Sequence, residues 1–474
     1  MSETETIRPE TNAARPSGRG LYHAFLALVL LAPLPLGSNR PGPAALLAVI
    51  TGLLLVCWAV RVWRRPETAA ALPRALAAGF VLYGLVCFWV LLQYLPVWPA
   101  PLAHPLWAEA SAILGRELPG RLTVNPEATL AGLMRLLTYG AACWLAIQLF
   151  RRRDGSARRA VRLIAYGAGI YALYGIAVYL AGNDWLLWYR KWAYTESLTS
   201  TFVNRNSFAT FAGLGLLCAL SELIEATRWI GQTKQPLRRR TALFIEQMLT
   251  RHWPLAASTL ALAIALMLTG SRAGIVATFA GTGLLCVMQL RLYTNGWRSL
   301  AIAAGFAAVL AAGLLGIAGE LFSERMTRAD AAIEENIRSD VFVMVNDAIK
   351  TSPWTGIGLG TFQDVFPAYR TGDLSSRGLW DKAHNTYLEN ALELGIPAAL
   401  ALHLAIGLGL LAAAGNLRSR GDRRRLAILG LSATLLVGLH AMVDFSLQMP
   451  AIALLYAALL GLSAASPVRG PARG

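Results

Sequence analysis

The sequence predicts an all-α polytopic membrane protein with about 12 transmembrane helices. Three observations predict it. First, 55% of the 474 residues are hydrophobic and only 15% are charged, against about 25% charged in soluble domains. Mean hydropathy is +0.48. Second, the apolar residues fall in runs long enough to cross a hydrocarbon core, which takes about 20 residues per helix. Third, the basic residues cluster between alternate runs, as cytoplasmic loops should.

Taken in order, the chain opens with a polar tail over residues 1–20, which holds Pro9 and Pro16 and predicts disorder. The run from Leu21 ends in Pro-Leu-Pro-Leu-Gly with no A-x-A cleavage pattern, so it predicts an uncleaved first helix. A single transmembrane domain is predicted over 21–465, followed by a short tail over 466–474. Its spans are predicted at 21–37, 43–61, 75–95, 129–149, 162–182, 207–226, 254–270, 274–291, 299–319, 391–414, 426–445 and 449–465. The five cysteines, Cys57, Cys87, Cys143, Cys218 and Cys286, all lie in apolar runs without a CxxC pair, and read as small buried hydrophobes.

Charge sets the orientation. Arg61, Arg64, Arg65 and Arg74 separate spans two and three; Arg151, Arg152, Arg153, Arg158, Arg159 and Arg162 separate four and five. Arg228, Lys234, Arg238, Arg239, Arg240 and Arg251 follow span six, and Arg418, Arg420, Arg423, Arg424 and Arg425 follow span ten. These loops share one side, and the positive-inside rule makes it cytoplasmic, with both termini. The net charge of +16 is thereby explained without a nucleic-acid partner. Arg190 and Lys191 depart from the rule, but lie in an aromatic stretch from Trp185 to Tyr194 that suits the membrane interface.

Two long segments, about 96–128 and 320–390, fall on the opposite side as outer loops. The second opens with SERMTRADAAIEENIRSDVFVMVNDAIK, which predicts a helix ending at Thr351-Ser352-Pro353. PWTGIGLGTF follows. Gly356, Gly358 and Gly360 mimic a dinucleotide loop, but they follow a helix with no βαβ unit, so a tight turn is the reading.

Three residues on the outer side carry the chemistry. Arg205 stands in TFVNRNSFATF, between Asn204 and Asn206, ahead of span six. A helix start favours anions through its free N–H groups, and the asparagines add donors. Arg272 stands in LTGSRAGIVAT, a hairpin of small residues with almost no loop. Small residues explain the hairpin but not an arginine there, and a guanidinium fork suits phosphate oxygens. His384, in DKAHNTYLENALELGIP, opens the return to the membrane. It is poised to accept a hydroxyl proton near neutral pH, with Asn385 and Glu389 available to orient its ring. Arg338 reads first as a surface i,i+4 partner of Glu334, and second as a ligand. His440 and Asp444, four apart near the outer end of span eleven, read as a helix-locking pair rather than site residues. No paired carboxylates on an outer loop, HExxH, GxSxG or P-loop motif is present, so no metal or cofactor is expected.

TFVNRNSFATF, TGSRAG, RSDVFVMVNDAIKTSPWTGIGLGTF and AHNTYLENALELGIP, in that order, resemble the O-antigen ligase and polymerase superfamily over roughly 130–465. APLPLGSNRPGP near the first hairpin is similar to related sequences as well. The resemblance implies a GT-C-like membrane glycosyltransferase of the bacterial inner membrane, with its site on the periplasmic face. It implies a donor glycan on undecaprenyl pyrophosphate. The acceptor is the lipid A–core in a ligase, or another lipid-linked glycan in a polymerase. Other polysaccharide-assembly proteins are possible partners. It further implies a metal-independent, inverting transfer in which His384 is the base and Arg205 and Arg272 grip the pyrophosphate. Arg338, Asn204, Asn206 and Asn385 complete the expected substrate contacts. A secondary transporter or flippase is the competing class, but that predicts charges near the bilayer midplane.

Overall fold

Chain immersed in hydrocarbon must satisfy its own backbone hydrogen bonds, so apolar runs become helices. The computed structural model describes residues 19–150, 155–233, 235–292, 329–371, 374 and 380–465. Helices α1 to α5 are Arg19–Leu31, Pro41–Arg64, Arg74–Tyr94, Leu106–Leu114 and Pro126–Phe150. Helices α6 to α10 are Ser156–Leu180, Arg205–Gln232, Leu237–Thr250, Trp253–Leu268 and Arg272–Leu290. Helices α11 to α16 are Ala329–Thr351, Phe362–Val365, Thr386–Leu394, Ile396–Gly415, Asp422–His440 and Pro450–Ala464. The described strands are one two-residue pair, Trp185–Leu186 against Tyr189–Arg190.

Each predicted span coincides with a helix except 299–319, which lies outside the described residues, as do 323–328 of the predicted outer helix. Twelve crossings, however, are not reached among the described residues. Seven helices are long and apolar enough to cross a membrane, or eight if α8 and α9 count as one span bent by 89°. Beyond span 299–319, which is outside the described residues, several runs are shorter or bounded differently than predicted. Span one stops at Leu31, because Pro33 and Pro35 break it. At about 1.5 Å per residue, the 13 residues of α1 and the 15 of α16 fall short of a hydrocarbon core of about 30 Å. Span ten breaks at Gly395 (φ +80°), which separates α13 from α14 but leaves α14 among the seven. Span eleven ends at His440, so Asp444 lies in a turn beyond α15 rather than on it.

Helix α7 is the buried axis: 89% of its most apolar window is enclosed. It packs against α6, α9, α10 and α15. Small residues allow this approach. A Cβ on Gly215 would stand 2.5 Å from Ala168 Cβ, and one on Gly274 would stand 2.7 Å from Ala209 Cβ. In a second group, α3 packs on α14 and α5 on α16, and α16 meets α15. The outer faces are apolar and open. On α2, Leu46, Val49, Leu53, Val56 and Val60 stand exposed at helical spacing, as on a lipid-facing surface.

The bundle has two chemically different ends. At one, Arg425 and Arg162 each reach Glu222 at 2.9 Å, and Arg158 reaches it at 3.5 Å. These cations come from two of the predicted basic loops, which therefore do share an end. The helix starts of Arg205 and Arg272 lie at the other. There the loop over 95–125 packs on the glycine-rich turn: Val124 N–H donates to Ile357 O at 3.0 Å. Gly356, Gly358 and Gly360 all have positive φ. A Cβ on Gly358 would stand 2.6 Å from Thr123 Cβ, so these glycines serve a close backbone clamp.

Gly461 tests the packing. Its Cβ would stand 2.5 Å from Cys143 O and 2.8 Å from Ala146 Cβ on α5. Gly461→Val is expected to cost about 1–3 kcal/mol of stability, read as a lower melting temperature in detergent. An unchanged melting temperature would contradict this α5–α16 contact.

Candidate functional site

The site grows from three helix starts. Asn204 caps α7: its Oδ1 accepts from the N–H groups of Asn206 (2.7 Å) and Ser207 (3.1 Å). Arg205 is thus the first helical residue, and its guanidinium lies over the Tyr194 ring at 5.4 Å. Ser271 caps α10 by accepting from Gly274 N–H at 3.3 Å, which makes Arg272 the first residue of that helix, and exposed. The Gly274–Ala209 approach sets the two arginine-headed helix starts side by side. Both present N-terminal dipole ends to the same region.

Asn385 caps α13, accepting from Tyr387 N–H (3.0 Å) and Leu388 N–H (3.1 Å). Just before it, His384 adopts a left-handed backbone (φ +54°), a region rare for residues other than glycine. Two anchors hold this junction. Thr386 N–H donates to Ala441 O at 2.9 Å, and Thr386 Oγ1 donates to Asp444 O at 3.0 Å. The His384 ring stands edge-on to Trp380 (5.5 Å) and Phe445 (4.9 Å).

Asp444 is the centre. Its side chain is 1% exposed, and Oδ1 lies 3.8 Å from His384 Nδ1, beyond hydrogen-bond length but within ion-pair range. Asn206 Nδ2 donates to the same oxygen at 3.2 Å, and Ser446 Oγ donates to Oδ2. Burial alone would raise this carboxyl; the His384 and His440 rings and the Ser446 hydroxyl outweigh it and hold it down at about 2. His440 bonds through Nδ1 to Thr210 Oγ1 at 2.6 Å, and Arg338 lies within electrostatic range of it. Arg338 therefore belongs to the neighbourhood of the site.

The structure thus brings Arg205, Asn206, Arg272, Arg338 and His384 to one end of the bundle. Asn204 and Asn385 use their side-chain oxygens as caps. Glu389 does not orient His384: it accepts from Ala383 N–H at 2.7 Å and pairs with Lys382 at 3.4 Å. The carboxylate within ion-pair range of His384 is Asp444, which the sequence alone reads as half of a helix-locking pair with His440. Its signal in the sequence is a carboxylate inside an apolar run, near the outer end of the predicted eleventh span, in HAMVDFS. Lys191 was also missed. It is buried, and its Nζ donates to the carbonyls of Tyr194, Thr195 and Ser197, which shapes the loop carrying Tyr194 to Arg205. Among the described residues, no group of three or more His, Cys, Asp or Glu could hold a metal ion.

Fold and site together define a class: a multi-pass helical membrane protein whose polar centre sits at the bundle end opposite its basic one. Within that class, residues 257–403 match the family model described as O-antigen ligase, which supports the O-antigen ligase and polymerase superfamily. The matched region contains Arg272, Arg338 and His384; Arg205 and Asp444 lie outside it. No curated protein matches the chain.

Beneath the site, Glu393 is buried and accepts from Phe362 N–H at 3.0 Å. Burial, reinforced by Glu389, pushes its carboxyl up to about 8, although Lys382 and two backbone N–H groups oppose the shift. Above its ordinary range, the folded state keeps a proton that the unfolded chain has lost. Stability is therefore highest below that range and falls as pH rises toward 8. Glu393→Gln is expected to flatten this fall, measured as melting temperatures at pH 5 and pH 8. Equal slopes for both proteins would contradict the assignment.

Proposed function

We propose that the chain is a membrane glycosyltransferase of O-antigen ligase type. It would move a glycan from undecaprenyl pyrophosphate to a hydroxyl of the lipid A–core, with the site on the periplasmic face of the inner membrane. The polymerase reaction, with a lipid-linked glycan as acceptor, uses the same chemistry. The observation that supports this reading best is the His384–Asp444 pair beside two abutting, arginine-headed helix starts.

The geometry supports the following roles. Asp444, ionised, favours the tautomer with the proton on Nδ1, which leaves Nε2 to accept the acceptor hydroxyl proton. The hydroxyl oxygen attacks the anomeric carbon, and the glycosyl–phosphate bond breaks on the opposite face. Negative charge grows on the pyrophosphate, where Arg205, Arg272 and the two helix dipoles stabilise it. Fixed cations of this kind act most strongly on the transition state.

The test is transfer by purified protein. Lysine keeps the charge but loses the fork, so Arg205→Lys and Arg272→Lys should lose most transfer while the protein stays in the membrane. His384→Ala should lose about 10²–10⁴-fold, the range of general-base catalysis, with donor binding largely kept. Asp444→Asn should lower turnover more than donor affinity. Near-normal transfer by both lysine variants would reduce the arginines to interface anchors. In cells, lipid-linked polymer kept with none on the core marks a ligase, and single repeat units on the core mark a polymerase.

Orientation has its own test, in a background lacking the five native cysteines. Cysteines at the exposed positions Glu117 and Asn183 should react with an impermeant label from outside, and those at the exposed Glu67 and Arg420 should not. Labelling of Glu67→Cys from outside would reverse the orientation and move the site to the other face.

A further inference from the structure

A cavity of about 430 Å³ lies among α3, α5, α13, α14, α15 and α16, with no wall from α7 or α10. It has the shape of an amphiphile. At the site end it is lined by Arg135, Lys382, Asn390 and Gln448; at the far end by Leu76, Cys143, Leu410 and Leu460. Arg135 sets the level at which this polarity changes. One turn before it, a Cβ on Gly132 would meet the Leu359 side chain of the outer glycine-rich turn at 2.8 Å. Arg135 therefore stands where the loops end and the hydrocarbon-facing helices begin, the depth of a lipid headgroup.

Two residues that line this cavity, Arg135 and Tyr139, carry unsatisfied polar atoms. Arg135 Nε and Tyr139 Oη are buried, and neither has a hydrogen-bond partner among the described residues. Buried donors without partners are costly, so their presence asks for a ligand with acceptor oxygens. Lys382 is held nearby by its pair with Glu389 at 3.4 Å. Glu393 also faces the cavity, but its raised carboxyl adds little negative charge near neutral pH.

The wall between the cavity and the arginine centre is the His384–Asp444 junction itself. Thr386, Ala441, Leu447 and Gln448 line the cavity, while Asp444 turns its carboxylate away toward Asn206 of α7. A base placed between two compartments can serve a donor in one and an acceptor in the other. We propose that this cavity holds the lipid anchor of the acceptor, a phosphate-bearing glycolipid, with Arg135, Tyr139 and Lys382 on its headgroup and one chain in the apolar slot. This rests on the ligase form of the glycosyltransferase reading and places the acceptor's anchor in a compartment apart from the donor's.

The experiment reads binding, not transfer, so it can fail while that reading stands. Purified protein is titrated separately with lipid A, undecaprenyl pyrophosphate and phosphatidylglycerol. Arg135→Gln removes the headgroup cation, and Arg135→Lys should restore part of its effect. Gly407→Phe fills the slot; a Cβ at Gly407, which lines the cavity, meets nothing within 4 Å, so the helix should tolerate it. Both Arg135→Gln and Gly407→Phe are expected to weaken lipid A binding about tenfold or more, as loss of a charged hydrogen bond or of the slot implies. Binding of undecaprenyl pyrophosphate should be unchanged. Loss of undecaprenyl pyrophosphate binding instead would give the cavity to the donor and overturn the proposal. So would phosphatidylglycerol binding as tightly as lipid A, or unaltered binding of all three lipids by correctly folded variants.

Discussion

A carboxylate taken out of water must be fully partnered or it will not stay ionised, and Asp444 imposes that condition on everything around it. Its oxygens need Asn206 from α7, Ser446 from its own turn and His384 from the start of α13. Those partners come from three separated parts of the chain, so the carboxylate fixes the register of the α7 start against the α15 end. The backbone joins in: Asp444 O accepts from Thr386, and Ala441 O accepts from the same residue's N–H. His384 is thereby held in a left-handed conformation that few residues adopt unaided.

Small side chains make this centre reachable. Gly274 lets α10 approach Ala209, and the same Gly274 lies where a Cβ would stand 3.3 Å from His440 Cε1. One glycine thus serves the arginine-headed helix start and the polar pair behind it. At the opposite end a different solution appears. Glu222 is enclosed by Arg158, Arg162 and Arg425, so the excess positive charge is partly anchored by one buried anion. The bundle separates an ion cluster built on Glu222 at its basic end from the polar centre built on Asp444 at the other.

The loop segments at this end dock on the bundle rather than forming a separate layer. Gln93 at the end of α3 donates to Thr355 O at 2.7 Å and Glu393 O at 2.9 Å. Asn125 Nδ2 reaches Asp364 at 3.1 Å. These bonds join the loop over 95–125, the glycine-rich turn and α13 into one platform. Because α13 carries His384 at its entry, the position of the histidine depends on loops far from it in sequence. The three glycines that imitate a nucleotide motif are explained by this docking.

By itself the sequence determined which segments are apolar helices, which end of the bundle is basic, and that Arg205, Arg272 and His384 sit at helix starts. Those features are local: hydropathy, capping residues and charge between runs are written within about 20 residues. Only the tertiary structure decided what the neighbours do. Asn204 and Asn385 became caps, because a helix start claims the nearest side-chain oxygen first. Asp444 became the partner of His384, and Arg135 became the polar end of a cavity, through contacts across distant helices that no spacing encodes. The helix boundaries were likewise decided in three dimensions, where Pro33, Pro35 and Gly395 broke runs that hydropathy alone had joined.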